Sequence, residues 1–203
     1  MAEAAEARAI GVRGGRPAAT SHTQLTHIAL ELFSSAGFEN TTVDDIAAAA
    51  GIGRRTFFRY FSSKNDVVWG DFGGELERMR QYLRACPDGQ PLMSALHSAV
   101  LDFNTFPDEE TPWHRRRMTL ILEVPALQAH STLRYAAWRA VVVEFAARRL
   151  ALAEDGLVPQ AIAYAFLSVC IAAYEQWLKD DATDLANQLD RALDLLIGGF
   201  ALP

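Results

Sequence analysis

Apolar residues spaced three and four positions apart dominate this chain, and that spacing is typical of amphipathic helices. No stretch alternates with period two over enough residues to predict a strand. The pattern therefore predicts an all-α fold of about nine helices. The first three predicted helices each carry a short apolar stripe. Their apolar residues are Leu25, Ile28, Ala29, Leu32, Phe33 and Ala36 in the first, Val43, Ile46, Ala47 and Ala50 in the second, and Phe57 and Phe61 in the third.

The ends of these first helices are marked by residues that stop or cap helices. Gly37 is a typical C-terminal stop, and Thr42 is a good N-cap for the second helix. Gly51-Ile52-Gly53 ends that helix, and the third is predicted to begin at about Arg54. Two short helices joined by a tight glycine-containing turn predict a helix-turn-helix.

Beyond the head, a longer helical body is predicted. A fourth helix is expected from near Ser63 to about Leu83, as one rigid connection between head and body, and an acidic loop is expected at Pro107–Pro112. We expect a flexible arm over residues 1–19, a helix-turn-helix domain over 20–66 and a second domain over 67–203. Body helices are predicted over 91–103, 113–123, 125–154 and 159–179, with a last one that carries leucines from Leu185 to Leu196.

The charge is distributed unevenly along the chain. The formal net charge is −6, but residues 1–70 balance to zero and residues 71–203 carry the whole excess of acids. Within residues 53–64 there is no acid, and the basic residues are Arg54, Arg55, Arg59 and Lys64. Phosphate binding requires a local positive face rather than a positive protein, so this segment is compatible with DNA binding.

Several classes of protein are disfavoured by what the sequence contains. Cys86 and Cys170 have no metal-ligand spacing, which favours a reduced, cytoplasmic protein. The N-terminus does not resemble a signal peptide, and the apolar run Ala161–Tyr174 is shorter than the roughly 20 residues of a membrane span. His97 and His130 are too isolated to predict a metal site. No catalytic constellation or phosphate loop is found, so neither an enzyme nor a cofactor is expected.

The run from Phe38 to Lys64, FENTTVDDIAAAAGIGRRTFFRYFSSK, resembles the TetR family of one-component repressors. The matching elements are Thr41-Thr42-Val43, Asp45-Ile46-Ala47, Ala50-Gly51-Ile52, Thr56-Phe57-Phe58, Tyr60-Phe61 and Ser63-Lys64. The stretch from Phe57 to Phe72 is also similar to actinobacterial regulators of the mycofactocin-system type. That narrower resemblance implies control of a redox-cofactor or lipid-linked gene cluster, with acyl-CoA-like ligands.

The resemblance implies a DNA-binding set on and around the third helix. It implies that Arg54, Arg55 and Thr56 contact base edges or nearby phosphates. It also implies that Thr42 and Lys64 contact the DNA backbone, and that Tyr60 contacts a phosphate or a base methyl. Two positions depart from the family pattern: family members often have Ser at the position of Gly53 and Tyr at the position of Phe58. Phe58 can still pack against a thymine methyl. Arg59 is either a phosphate contact or a surface residue, and Arg13–Pro17 either a minor-groove arm or a disordered tail.

The resemblance also implies a homodimeric repressor, released from a near-palindromic operator by a small apolar or acyl-type effector. Dimerisation is expected through the last two helices, at Phe166, Leu185, Leu189, Leu193 and Leu196. The His114–Arg117 run is either an anion site or a solvated surface. On a helix its three arginines spread over about 200°, so they are not expected to enter one pocket together. The candidate effector-binding residues are Phe103, Trp113, Arg117, Trp138, Tyr174 and Trp177. For any one of the aromatic residues among them, packing in the core is an equally good explanation.

Two other functions remain open at this point. An enzyme or carrier could use an apolar cavity and keep a vestigial helix-turn-helix, and would then show no salt-dependent operator binding. A DNA-binding protein could also be an architectural or activating factor, which the position of its footprint relative to the promoter would reveal. The expected partners are double-stranded operator DNA, a small-molecule effector and a second copy of the chain, with no membrane.

Overall fold

The computed structural model describes residues 21–201, and within that range the protein is entirely helical. The predictions for residues 1–19, including the arm Arg13–Pro17, lie outside the described residues. A single 3₁₀ turn, Asp108–Glu110, lies in the predicted acidic loop. The ten α-helices are α1 (His22–Ala36), α2 (Val43–Ala49), α3 (Arg54–Tyr60), α4 (Lys64–Val67), α5 (Phe72–Ala85), α6 (Leu92–Phe103), α7 (Thr111–Glu123), α8 (Pro125–Leu150), α9 (Leu157–Trp177) and α10 (Leu185–Ile197).

The all-α prediction is confirmed, and the additional helix comes from a break in the predicted fourth one. Gly70 has a φ of +59°, a left-handed conformation that ends a helix and that glycine adopts at little cost. Asp71 then caps α5 by accepting a hydrogen bond from the Gly74 N–H at 3.2 Å. The prediction of one rigid helix from Ser63 to Leu83 is therefore wrong, because α4 and α5 are separate helices.

The head consists of α1, α2 and α3 around its own apolar core. Thr42 and Asp45 form a capping box at the start of α2, in which each side chain bonds the backbone of the other. The Asp45 carboxylate is stabilised by the Thr42 hydroxyl and backbone N–H, which lower its pKa. The buried residues at the centre of the head are Leu25, Ala29, Phe33, Ile46 and Phe57.

The body is built around α8 and α9, with α10 packed against α9 and α6. The apolar stripe of α10 faces inward, so Leu189 and Leu193 are fully buried and Leu185 nearly so. Phe166 of α9 is also fully buried. The prediction that these four residues form the dimer interface is wrong, because they pack within the core of one chain. Leu196 is half-buried against the same core and its interface role stays a prediction.

The sequence-based argument about membrane spans does not hold as it was made. Helix α9 is 21 residues long and, by length and composition, is the one described helix that could cross a membrane. The apolar run Ala161–Tyr174 is shorter than α9, because the helix extends beyond the run at both ends. In the fold, α9 buries Phe166, Ala173 and Trp177 between neighbouring helices, as a core helix of a folded protein does.

Candidate DNA interface and effector cavity

Helix α3 has one buried side and one exposed side. Phe57 is fully buried, and its ring lies 5.9 Å from that of the buried Phe61. On the opposite side Arg54, Arg55 and Arg59 are exposed, and 44% of Phe58 is accessible to solvent. The exposed side of α3 therefore presents guanidinium groups and an aromatic ring to whatever approaches it.

The turn between α2 and α3 fixes how the two helices cross. Gly51 has a φ of +65°, which allows the chain to reverse tightly after α2. The Ile52 N–H then donates to the Ala47 carbonyl at 2.9 Å, and the carbonyl of Gly53 accepts from the N–H groups of Thr56 and Phe57. Backbone hydrogen bonds thus close both ends of the turn, which is the geometry of a helix-turn-helix.

The arginines at the start of α3 differ in their contacts within the chain. Arg54 forms an ion pair with Asp44 of α2 at 2.7 Å, and its guanidinium lies 5.3 Å from the centre of the Phe58 ring. Both members of the Arg54–Asp44 pair are exposed, and exposed pairs stabilise a fold by only about 0–1 kcal/mol. Arg55 is exposed and has no ion pair within residues 21–201.

The remaining predicted DNA-binding residues also have contacts within the head. Lys64 donates from Nζ to the Phe38 carbonyl at 2.7 Å and lies 4.2 Å from the centre of the Phe38 ring. Thr42 is exposed and caps α2. Tyr60 and Thr56 are half-buried, with the Tyr60 ring edge-on to His22. Thr56 and Tyr60 thus belong to α3 itself, whereas Thr42 and Lys64 lie on neighbouring segments.

Two polar clusters join the head to the body. In the first, Asp66 of α4 accepts a hydrogen bond from Nε2 of His130 at 2.8 Å and pairs with Arg134, both on α8. Burial raises the pKa of Asp66, but hydrogen bonds from Ser63, Arg134 and His130 outweigh burial and leave the pKa below its usual value. His130, which is isolated from other potential metal ligands in the sequence, therefore binds the Asp66 carboxylate in the fold.

In the second cluster, His27 of α1 stacks on Trp113 of α7, with ring centroids 4.1 Å apart and nearly parallel planes. The His27 Nε2 atom lies 3.0 Å from a carboxylate oxygen of Glu110. Trp113 therefore packs at the junction between head and body. Its prediction as a residue of the effector cavity is wrong.

A cavity of about 430 Å³ lies where the head meets the body. Its wall includes Thr23 and Thr26 of α1, residues 69–72 between α4 and α5, and parts of α6, α7, α8 and α9. Of the predicted effector residues, the wall includes Phe103, Arg117, Trp138 and Tyr174. Trp177 does not line it; its buried ring lies instead 4.2 Å from the guanidinium of Arg115.

Sequence reasoning missed part of this wall, including Trp69, His114 and Tyr135. Trp69 was assigned to a continuous fourth helix, and only the break at Gly70 turns the chain so that this residue borders a cavity. Glu144 of α8, which is partly exposed, forms ion pairs with Arg80 and Arg84 of α5 at 3.3 Å each.

A buried hydrogen-bonded chain forms one side of the cavity. The Tyr174 hydroxyl donates to Oδ1 of Asn104 at 2.5 Å and lies 2.8 Å from Nε2 of His114. Because the single Tyr174 proton is directed to Asn104, His114 donates from Nε2. Burial, assisted by the charge of Arg117, lowers the pKa of His114 to about 3, so the ring is neutral at physiological pH. Burial raises the pKa of the neighbouring Cys170 thiol to about 12.

The basic run on α7 divides among three environments, which confirms that its arginines cannot share one pocket. Arg115 donates to the Trp177 and Asp180 carbonyls at 2.9 and 3.0 Å, at the C-terminal end of α9. Arg116 is exposed, 5.1 Å from the centre of the Trp113 ring. Arg117 lines the cavity.

Comparison with known proteins bears on both the head and the body. Residues 25–68 match the model described as bacterial regulatory proteins of the tetR family, and residues 90–201 match the MftR C-terminal domain. The chain is 43% identical over 188 residues to the mycofactocin biosynthesis transcriptional regulator MftR of Mycobacterium tuberculosis, covering 93% of this chain and 95% of that protein. The chain belongs to the TetR family of transcriptional regulators.

Another relative is the HTH-type transcriptional regulator TcmR of Streptomyces glaucescens. It is 31% identical over 183 residues, covering 85% of this chain and 81% of that protein. The narrower resemblance to mycofactocin-system regulators is confirmed by the match to MftR and to its C-terminal domain. Because the family and both relatives are transcriptional regulators, the reading as an enzyme with a vestigial head is set aside.

Solved TetR-family structures share the fold at low sequence identity. The fatty acid degradation regulator FadR of Bacillus halodurans has a TM-score of 0.65 at 17% identity, covering 90% of this chain and 97% of that one. FadR of Thermus thermophilus, a repressor in complex with lauroyl-CoA, has a TM-score of 0.56 at 21% identity, covering 90% and 96%. At these identities the likeness establishes the fold alone.

Proposed function

We propose that the protein is a homodimeric cytoplasmic repressor that binds a near-palindromic operator and is released by a small apolar or acyl-type effector. In this proposal residues 20–66 bind DNA, and residues 67–203 bind the effector and dimerise. The observation that carries it is the position of the cavity, whose wall includes Thr23 and Thr26 of the head. A ligand there contacts the DNA-binding helices and the body together.

The exposed side of α3 supports the assignment of DNA contacts. An arginine can donate two hydrogen bonds to a guanine edge, and Arg54 and Arg55 stand at the exposed start of the helix. The Arg54–Asp44 pair is weak enough to exchange for a base. In this proposal Phe58 contacts a thymine methyl, Thr56 lies near base edges, and Thr42, Tyr60 and Lys64 lie near phosphates.

Release by the effector follows from the break between α4 and α5. Gly70 and Trp69 border the cavity, and α4 is held to the body through Asp66. A ligand that binds more tightly when α4 is displaced shifts the protein towards that arrangement, and a few kcal/mol of differential affinity is sufficient. Displacement of α4 changes the distance between the two recognition helices, which must match a half-site spacing of about 34–36 Å.

The proposed dimer uses exposed apolar residues of α9 and α10 in place of the buried leucines. Leu157 is 83% exposed and Tyr164 is 54% exposed, both on α9, and Ile197 at the end of α10 is also exposed. Large apolar side chains that remain exposed on neighbouring helices favour contact with a second chain. A two-fold dimer of this kind matches the symmetry of a near-palindromic operator.

We expect Arg55→Ala and Arg54→Ala to weaken binding to the operator selectively. Each guanine contact discriminates by about 1–3 kcal/mol, so the loss on operator is expected to exceed the loss on random duplex by about tenfold or more. An operator is first selected from a randomised duplex library, and affinity is then measured by fluorescence anisotropy at fixed salt. Arg191→Ala, an exposed arginine on α10, is the matched control.

Equal losses on operator and random DNA for both variants would contradict base contacts by these arginines. Failure to select any sequence from the library would contradict the proposed function itself. Footprinting the selected operator relative to its promoter separates a repressor from an activator.

For the dimer, we expect Tyr164→Glu to give a folded monomer. Tyr164 is exposed in the isolated chain, so the substitution leaves the core intact, whereas a charge buried at an interface without a partner opposes association. The mass is measured by light scattering and the helix content by circular dichroism. Leu133→Glu, at a 68% exposed position of α8 outside this face, is expected to remain a dimer. A dimeric Tyr164→Glu protein would place the interface elsewhere.

A further inference from the structure

The cavity contains two buried N–H donors for which the protein supplies no acceptor. The Nε atom of Arg117 and the indole Nε1 atom of Trp69 are inaccessible to solvent, and neither forms a hydrogen bond within residues 21–201. Both residues line the cavity. A buried donor without a partner destabilises a folded protein, and a charged one does so more strongly. A ligand that accepts hydrogen bonds at this end of the cavity removes that cost.

The carboxylates of the cavity wall are engaged elsewhere. Glu110 lies against His27. Asp71 caps α5. Glu75 forms an ion pair with Arg78, although its Oε2 atom has no aligned donor. Glu75 is thus held by Arg78, and none of these three carboxylates forms an ion pair with Arg117 within residues 21–201.

Arg117 is therefore a cation without an ion-pair partner within residues 21–201, and its Nε atom is buried. Burial lowers the pKa of its guanidinium, and the negative charges of Glu110 and Glu75 oppose that effect only in part. None of these groups forms an ion pair with Arg117 in the described part of the chain. Buried charges in proteins are normally paired, so an anion from outside the chain fits this position.

The cavity also has an apolar wall, formed by residues of three helices. Ile121 and Met118 come from α7, Trp138 from α8, and Leu167 and Ile171 from α9. The volume of about 430 Å³ falls within the range of sites that enclose a small organic ligand. The polar donors and this apolar wall belong to one continuous space.

We propose that the cavity binds an amphiphile with a free carboxylate group. The carboxylate accepts hydrogen bonds from the Arg117 guanidinium and the Trp69 indole N–H, and the apolar chain lies along Trp138, Leu167 and Ile121. The planar guanidinium matches a carboxylate and distinguishes it from a neutral head group of the same size. This inference rests on the effector role of the cavity proposed above and adds the chemical class of the effector.

The test compares two probes of the same chain length on the full-length protein: dodecanoate below its critical micelle concentration and dodecan-1-ol below its solubility limit in water. At about 100 times its dissociation constant, dodecanoate is expected to raise the Tm by about 5–10 °C. Quenching of tryptophan fluorescence gives the dissociation constants, because Trp69 and Trp138 line the cavity. Dodecan-1-ol is expected to bind at least about tenfold more weakly.

Variants on one helix provide the matched control. Arg117→Met, which keeps an unbranched flexible side chain and removes the guanidinium charge, is expected to lose at least about tenfold in dodecanoate affinity and to bind dodecan-1-ol as before. Arg116→Met alters the adjacent exposed arginine and is expected to change neither. Should Arg117→Met fail to fold, Trp69→Phe removes the indole N–H and keeps an aromatic ring, and is expected to weaken dodecanoate selectively.

Three results would overturn the carboxylate assignment: equal affinity for the two probes, undiminished dodecanoate binding by Arg117→Met or Trp69→Phe, or tighter binding of lauroyl-CoA than of dodecanoate. Operator binding is measured separately and without these probes. A protein that prefers dodecanoate but binds no operator would remove the proposed function and leave this inference in place. A protein that binds its operator but does not discriminate between the probes would remove this inference and leave the proposed function in place.

Discussion

Leu189→Glu is expected to unfold the protein rather than to separate two folded subunits. Leu189 is fully buried between α10 and the rest of the body, so the substitution places a carboxylate in the core. Loss of a buried leucine alone costs about 2–5 kcal/mol, and an unpaired buried charge adds several kcal/mol. The sum is comparable to the whole free energy of unfolding of a typical domain, about 5–15 kcal/mol.

The measurement is helix content by circular dichroism together with mass by light scattering. Ala186→Glu is the control, because Ala186 lies on the same helix and is exposed, so this variant is expected to keep native helix content. A Leu189→Glu protein with native helix content and half the native mass would return the leucine stripe to the dimer interface. Tyr164→Glu, tested in parallel, is expected to give that folded monomer instead.

Phe57→Ala and Phe58→Ala are expected to differ strongly in their effect on stability although the residues are adjacent. Phe57 is fully buried in the head, and its truncation is expected to lower the free energy of unfolding by about 3–5 kcal/mol and to abolish operator binding. Phe58 is largely exposed, so its truncation is expected to change stability by no more than about 0.5 kcal/mol. Operator affinity is still expected to fall, because contact with a thymine methyl is lost.

Thermal unfolding of each variant gives the stability, and anisotropy with the selected operator gives the affinity. Phe57→Leu, which retains most of the apolar volume, is expected to recover much of the stability lost in Phe57→Ala. Similar destabilisation by Phe57→Ala and Phe58→Ala would mean that α3 is rotated about its axis relative to the arrangement described here. Unchanged affinity of Phe58→Ala for the operator would remove Phe58 from the DNA contacts.

Features that depend on neighbouring residues were predicted well. The N-cap at Thr42, the turn at Gly51 and the start of α3 at Arg54 all depend on residues within a few positions of one another. The separation of the three arginines at 115–117 follows from the helical repeat in the same way. The break at Gly70 was missed because the apolar spacing on both sides of it is compatible with one continuous helix.

The candidate cavity was predicted only in part, because tryptophans with similar sequence surroundings occupy different places. Trp138 lines the cavity, Trp113 stacks on His27 between head and body, and Trp177 is buried under Arg115. Each is an aromatic residue on an amphipathic helix, and helical periodicity does not distinguish their environments. The unpaired state of Arg117 was equally invisible, because it depends on how remote carboxylates pair with other groups.

By itself the amino-acid sequence determined that this protein is all-helical, where its recognition helix begins, and that the segment carrying this helix is basic. These properties depend on local hydrogen bonds and on the helical repeat. Only the tertiary structure decided that the leucines of α10 belong to the core of one chain and that Arg117 faces a cavity. The physical reason is that periodicity shows that one side of a helix is apolar, whereas what covers that side depends on residues distant in the chain.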